Sequence, residues 1–402
     1  MPKDRFTSNP FPELRVSELQ QQALVDLVEN LVEDYVAKYE EFVLVSKRKV
    51  DDRRWEHVKS RDKLHVYSER TRKELRRRGM EPETSLSATQ RVQAKAVTKE
   101  LPVVMSVGSF VGELDDLMFG VVNPTLNDMR IKASYVHDLE CAAVVRSVVQ
   151  PTKHDPFRSL VIKWMTIDVP LPSSLIKSRD FVYIEASGMT YLCNGDRIGY
   201  HLQHSIDFPE TKPLPNKIRG NMSVFSCFRR KRRQVIENFA WGVVDPGGDI
   251  MRSLAVSVAA GQLLTATNYV YCGQMKKLAW MLELNHPNID SECSGRQREQ
   301  CIVCGKKTSY AIGSIGKGTC KICFGSVCYS CKIRQRVSSI ARGGQLVQRK
   351  VVVCPKCMIE TNRWSAQEAA RDHAAGYEFG TMHSVYSFVD TSASSLEELS
   401  WA

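Results

Sequence analysis

Nowhere in the 402 residues do 18 apolar side chains run together, so no segment reads as a membrane-spanning helix. The nearest approach, Ile250–Cys272, is interrupted by Arg252, Gln262 and Asn268 and reads as a buried helix. The first ten residues, MPKDRFTSNP, hold no apolar core of the kind that directs export. The expectation is a cytoplasmic chain whose thiols stay reduced, which makes disulfides the weaker use of its 13 cysteines. There is no internal repeat, no glycine-rich phosphate loop and no nucleophile paired with a base. An enzyme is therefore not expected.

What the chain does have is sulfur, concentrated near its end. Eight cysteines stand as four Cys-x-x-Cys pairs: Cys301/Cys304, Cys320/Cys323, Cys328/Cys331 and Cys354/Cys357. Two thiolates at this spacing converge on a tetrahedral centre at about 2.3 Å. Four pairs complete two four-sulfur sites for two Zn²⁺, with no coordination position left for water, so the metal is structural. The pairs are separated by 15, 4 and 22 residues. The short middle gap keeps neighbouring pairs off one ion and favours interleaving, pairs one and three on one metal and two and four on the other.

This spacing, over Arg296 to Ile359, resembles the FYVE zinc finger and its relatives. The resemblance implies a small two-zinc cross-brace finger that reads anionic membranes, in that family phosphatidylinositol 3-phosphate. The family's basic run around the third cysteine corresponds to Gly316-Lys317-Gly318-Thr319-Cys320-Lys321. Both histidines are missing, and Lys317 and Lys321 are the anionic-lipid contacts that remain. The Trp and Asp expected before the first pair are absent from Ser294–Gln300, and the family's Arg-Val-Cys reads Val352-Val353-Cys354. The metal scaffold carries over; the lipid specificity does not. Charge still favours an anionic partner. From Arg296 to Cys357, 13 Lys/Arg meet one acid, Glu299, and each basic residue close to an anionic leaflet adds roughly 1 kcal/mol. Nucleic acid would feel the same field. It is not expected as the partner, because Tyr310, Phe324 and Tyr329 are few aromatics for base stacking.

Upstream the pattern is α+β. Residues 1–16 read as a flexible arm. Ser17 and Gln20 form a capping-box pattern, and the helix after it runs to about Val45 with Leu24, Val28, Leu31, Tyr35 and Phe42 on one face. Arg53–Glu69 and Leu101–Phe110 read as strand, and the charge-rich Arg70–Glu100 between them as a loop. Two short helices follow, Glu113–Val122 and Thr125–Ala133. Six strands come next, Leu139–Val149, Ser159–Val169, Phe181–Cys193, Arg197–Phe208, Met222–Phe228 and Phe239–Asp245, divided by Pro, Gly and Asn. One long helix, Asp249–Leu284, then covers the concave face of the sheet. The domains expected are 17–285, a linker 286–295, the finger 296–362, and a mostly disordered tail 363–402 with a short helix at Trp364–Ala375.

Four motifs run through the upstream domain in order: Arg179-Asp180-Phe181-Val182; Ser205-Ile206 with Pro209 and Pro213; Ile218-Arg219-Gly220; and Asp245-Pro246-Gly247-Gly248. Over Ser17–Leu284 this resembles the START lipid-binding family. The resemblance implies a helix-grip fold, a curved antiparallel sheet wrapped around the last helix and enclosing an apolar tunnel for one lipid-like molecule. Strand alternation groups Ile198, Tyr200, Leu202, His204 and Ile206 on one face, and Leu160, Ile162 and Trp164 on another. Trp164, Tyr200, His204 and Trp241 are the candidate cavity lining; packing residues and a satisfied core histidine are the alternative. Arg179 and Asp180 are expected to be buried as a pair. Arg229–Arg233 reads as a basic loop, for an import receptor, an anionic lipid or solvent alone. Cys141, Cys193, Cys227 and Cys272 read as small buried apolar residues, and Cys293 falls between the domains.

The expected function is non-enzymatic lipid binding, transfer or sensing, with the finger addressing the protein to an anionic membrane, on the cytoplasmic side of endosomes. The alternative is a protein-interaction adaptor with an empty START-like domain, in its sharper form a RING-like ubiquitin ligase. Ile302 after the first cysteine favours that form; the all-cysteine ligands and the four-residue gap disfavour it.

Overall fold

The computed structural model describes residues 9–81, 100–136, 141–167, 177–284, 300–307, 318–341 and 344–378. The chain forms two compact units. Unit 1 comprises Met1–Gln274 together with Trp364–Phe379; unit 2 comprises Met275–Arg363 with Gly380–Ala402.

Unit 1 is built on one large antiparallel sheet. Its strands are β1 (Trp55–Arg61), β2 (Leu64–Glu69), β3 (Val103–Val111), β4 (Cys141–Val149), β5 (Ser159–Ile167), β6 (Arg179–Tyr191), β7 (Arg197–Ser205), β8 (Ile218–Arg219), β9 (Asn221–Arg232) and β10 (Val235–Asp245). The order across the sheet is β1-β2-β3-β10-β9-β7-β6-β5-β4, and the two-residue β8 pairs parallel to the start of β6.

Helix α1 (Glu18–Leu44) covers one face. Ser17 and Gln20 form the expected reciprocal cap, Gln20 N–H donating to Ser17 Oγ and Ser17 N–H to Gln20 Oε1. Leu24, Val28, Leu31, Val32, Tyr35 and Tyr39 are buried in the main core with side chains of β5, β6, β7, β9 and β10. Tyr35 stacks on Phe225 at 5.0 Å, and its hydroxyl meets Ser223 Oγ at 2.7 Å. The arm before α1 is not loose throughout. Phe11, Leu14 and Val16 are buried in the same core, and Phe11 meets the Trp164 ring edge-on. Apolar residues every two or three positions were the signal for that.

The other face carries α3 (Leu114–Val121), α4 (Leu126–Val136), α5 (Arg252–Leu264) and the first half of α6 (Thr267–Leu284); a short α2 (Arg72–Arg77) lies in sequence between β2 and β3. The closing helix is therefore two helices, not one. At the break, Thr265 N–H and Oγ1 both donate to Gln262 O, and Leu264 O is taken by Thr267 Oγ1 and Arg61. Side-chain donors supplement or replace backbone amides on two carbonyls of one turn. Helices α3 and α6 cross at glycine: a Cβ on Gly120 would sit 2.0 Å from Tyr269 O, and one on Gly273 1.8 Å from Asp116 O.

Three further expectations change. The basic run is no loop up to Arg232: β9 continues through it, and the turn comes at Gln234, whose φ is 56°. Arg229 is partly buried and pairs with Asp196 at 2.6 Å and Glu237 at 2.7 Å, while Tyr39 and Arg48 share the same Glu237. Cys193 is exposed, its thiol donating to Glu40, and Cys141 is half-buried; only Cys227 and Cys272 fit the apolar expectation. Finally, the helix after the fourth cysteine pair is α8 (Ala366–Glu378), following α7 (Pro355–Arg363). It packs on α3 within unit 1, with Ala366, Ala369, Ala370 and Ala374 buried and His373 Nε2 on Asp128 at 2.9 Å. The expected disorder at Thr391–Ser400, and Cys293, lie outside the described residues.

In unit 2 a hairpin, β11 (Ile333–Ile340) with β12 (Leu346–Val353), stands between the third and fourth cysteine pairs.

Candidate ligand cavity and metal centres

The period of two puts alternate residues of every strand toward α5. On β6 these are Arg179, Phe181, Tyr183 and Glu185; on β7, His201 and Gln203; on β9, Met222, Val224 and Ser226. Between them and α5 lies a cavity of about 120 Å³. Its walls are mostly apolar: Met165, Phe181, Met222 and Val224 from the sheet, Ala259 and Leu263 from α5. Thr265 and Ala266, at the break between α5 and α6, also line it. A volume of this order is close to that of an engineered cavity that admits a benzene-sized guest.

His201 and Tyr269 mark one end, where polar groups meet behind the wall. Glu185 Oε1 accepts from His201 Nε2 at 2.6 Å, from Lys132 at 3.3 Å and from Asn123 Nδ2 at 3.3 Å. Glu185 Oε2 pairs with Lys163, which also donates to Asn123 O and Oδ1. All five residues are buried. Burial alone would raise the Glu185 carboxyl, yet the two lysines and His201 hold it well below the usual carboxylate range. Burial lowers Lys163 to about 8 and lowers His201 as well, so the imidazole is neutral at pH 7. A neutral ring beside a carboxylate carries its proton on Nε2. Sequence reading missed this network. Its signal was a charged residue in the middle of an apolar strand, Lys163 within Leu160–Met165 and Glu185 within Phe181–Ala186.

Arg179, Phe181, Pro246 and Ile250 mark the other end, lined by the first and fourth motifs, and the third motif pairs with the first beside it. Parallel pairing sets Asp180 beside Arg219. Arg219 Nε and Nη2 both donate to Asp180 Oδ2, at 3.1 and 2.9 Å, and Trp164 Nε1 reaches the same oxygen at 3.2 Å. A Cβ on Gly220 would strike the Phe181 ring, and one on Gly247 would lie 2.5 Å from Arg219 O. The buried pair is therefore Asp180 with Arg219. Adjacent residues of a strand point to opposite faces, so Arg179 turns the other way, into the cavity wall, with Nε on Pro246 O at 3.2 Å.

The residues expected to line the cavity correctly share one face, but it is the face under α1. Trp164 and Trp241 are buried in the core there, and Tyr200 packs against it. His204 is buried, Nδ1 on Ser223 Oγ at 2.9 Å, and burial lowers its pKa to about 4. None of the four lines the cavity beneath α5. Tyr200 borders a groove beside α1 and Trp241 a cleft at the end of α1. Both faces of these strands are apolar, so alternation separates them without saying which one the last helix covers.

In unit 2 the thiols form two groups. Cys301, Cys304, Cys328 and Cys331 make one, Cys320, Cys323, Cys354 and Cys357 the other, all Sγ atoms within 4.8 Å of one another in each. Pair one thus joins pair three, and pair two joins pair four. Sγ–Sγ distances of 3.7 Å (Cys304–Cys328) and 3.9 Å (Cys323–Cys354) match the edge of about 3.8 Å expected of a tetrahedron with 2.3 Å metal–sulfur bonds. The local geometry repeats. Gly305 N–H donates to Cys301 O and Phe324 N–H to Cys320 O, each closing residue at positive φ, and Cys301 and Cys320 N–H return to Lys306 O and Gly325 O. Within the second group Cys323 donates to Cys320, which lowers Cys320 to about 4 and raises Cys323. The eight thiols fit a pair of metal ions. Lys321 is exposed, its backbone amide on Val352 O at 2.9 Å; Lys317 lies outside the described residues.

No protein-family model matches the chain, and no curated protein sequence does. Solved structures similar to it include human STARD10, at TM-score 0.38 and 10% identity over 68% of this chain and 86% of that one. Human StAR-related lipid transfer protein 5 gives 0.40 and 12%, over 63% and 98%. The lipid transfer and protein localization domain of human StarD13 (DLC2) gives 0.35 and 12%, over 65% and 98%. Likeness this shallow leaves function to rest on the geometry of the chain itself.

Proposed function

We propose that unit 1 binds a lipid-like amphiphile without transforming it, and that unit 2 is a zinc-stabilised finger of the FYVE-related, cross-braced kind that brings the protein to an anionic membrane surface, such as the cytoplasmic face of endosomes. The observation that carries the first half is the cavity under α5, mostly apolar in its lining with a few polar groups among them, Arg179, His201 and Gln203. That is the pattern a binding site needs to seat an apolar body and orient its head. The first and fourth START-like motifs line one end of it. For the second half, the support is an all-sulfur donor set suited to Zn²⁺, closed to further ligands, on a segment with 13 basic residues.

The test of the first half is to purify the full chain from a lipid-rich extract and weigh it by native mass spectrometry. A bound species in the mass range of lipids is expected; protein that stays empty after every extract ends the lipid reading. For the second half, flotation with vesicles of neutral lipid, anionic lipid and single phosphoinositides separates general charge from head-group recognition. Equal recovery on neutral vesicles removes the membrane address.

A further inference from the structure

The cavity wall contains a cation that no carboxylate among the described residues pairs with. Among the described residues that line it, Arg179 alone carries a permanent charge. Arg179 is 3% exposed. Its guanidinium donates to two backbone carbonyls, Pro246 O and Lys177 O, and no described carboxylate lies within ion-pair distance. Asp180 faces the other way and belongs to Arg219. Glu185 lies six residues along β6, roughly 20 Å at strand rise, and is engaged by Lys132, Lys163 and His201. Burial alone shifts the Arg179 guanidinium, downward, with no acid acting to restore it. Carbonyl dipoles solvate part of a buried charge but do not neutralise it, and an unpaired ion in an apolar wall is costly to keep.

We infer that Arg179 receives the head of the ligand, and that the ligand is an amphiphile with a single anionic head, carboxylate or phosphate, on an apolar body. The guanidinium offers a planar fork of donors that matches both oxyanions. The apolar body then runs from Pro246 and Ile250 along Phe181, Met222 and Val224 under α5. This rests on the proposed lipid reading and names the class of lipid.

The test compares heads on one tail. Full-length, delipidated protein is titrated below the micelle threshold with radiolabelled oleate, with oleyl alcohol, and with oleyl phosphate. One charge-assisted contact predicts oleate or oleyl phosphate binding about 10- to 100-fold tighter than oleyl alcohol. Whichever of the two acids binds better identifies carboxylate or phosphate. Arg179→Met should bring the acid down to the alcohol and leave the alcohol unchanged, and Arg179→Lys should recover part of the difference. If wild-type protein binds oleyl alcohol as tightly as both acids, the lipid reading stands and the role of Arg179 is overturned, whether or not the variants fold. If none of the three binds, both fall. A purely structural Arg179 would weaken all three ligands alike.

Discussion

Asp180 is fully buried, and everything that neutralises it comes from elsewhere in the chain: the Arg219 fork and the Trp164 indole. Removing one member of such a pair strands the other charge, at a cost of about 3–5 kcal/mol. Asp180→Ala should lower the stability of unit 1 by that amount, read from urea unfolding followed by tryptophan fluorescence. His204 makes a second, pH-dependent prediction. Its unfolded imidazole takes a proton near pH 6.5, whereas burial delays this to about 4 in the fold. Between those values the unfolded state binds the extra proton, so stability falls as pH drops through the window, by about 3 kcal/mol in all. His204→Gln should flatten the stability profile between pH 6.5 and 4 by about that much. These two residues also show what could be read from sequence. That Asp180 and His204 are buried was visible from their apolar neighbours. Their partners were not, because Arg219 and Ser223 reach them through strand pairing, and pairing is set by register rather than by local pattern.

Element boundaries were the more legible layer. The Ser17 cap, the face of α1 and the six central strands fall within a few residues of expectation, since each is marked by local periodicity and punctuation. The break between α5 and α6 was missed. Helical apolar spacing continues through Leu263-Leu264-Thr265-Ala266-Thr267, and only the two threonine hydroxyls, bonded to Gln262 O and Leu264 O, report it. The crossing of α3 and α6 at Gly120 and Gly273 was equally silent. Gly273→Ala would press a methyl against Asp116 O, and overpacking of this kind costs about 1–3 kcal/mol or more. The measurement is a thermal melt, where a fall of several degrees is expected. Helix α8 gives the matching prediction by deletion. A chain ending at Arg363 loses four buried alanines and the His373–Asp128 bond, so unit 1 should melt lower although the deleted residues follow the finger in sequence.

At the scale of the whole molecule, the two units should respond separately to metal. The cysteine groups were the most legible feature of all: four spaced pairs and one short gap sufficed to foresee which pair joins which. Without a cation, four thiols crowded within 4.8 Å must share protons. Metal analysis is expected to return two Zn²⁺ per chain, and a strong chelator to abolish the amide-exchange protection of the β11–β12 hairpin while unit 1 keeps its near-ultraviolet circular dichroism. The path of the chain adds a mechanical property. It leaves unit 1 at Gln274, forms the cysteine-bearing part of unit 2 and returns to unit 1 for Trp364–Phe379, so the cysteine-bearing segment is inserted between two stretches of unit 1. A single cut between residues 285 and 299 would not set it adrift, because α8, which follows it in sequence, is seated in unit 1. Two severed pieces should travel together through a sizing column, and they should part only when the seat of α8 is also undone.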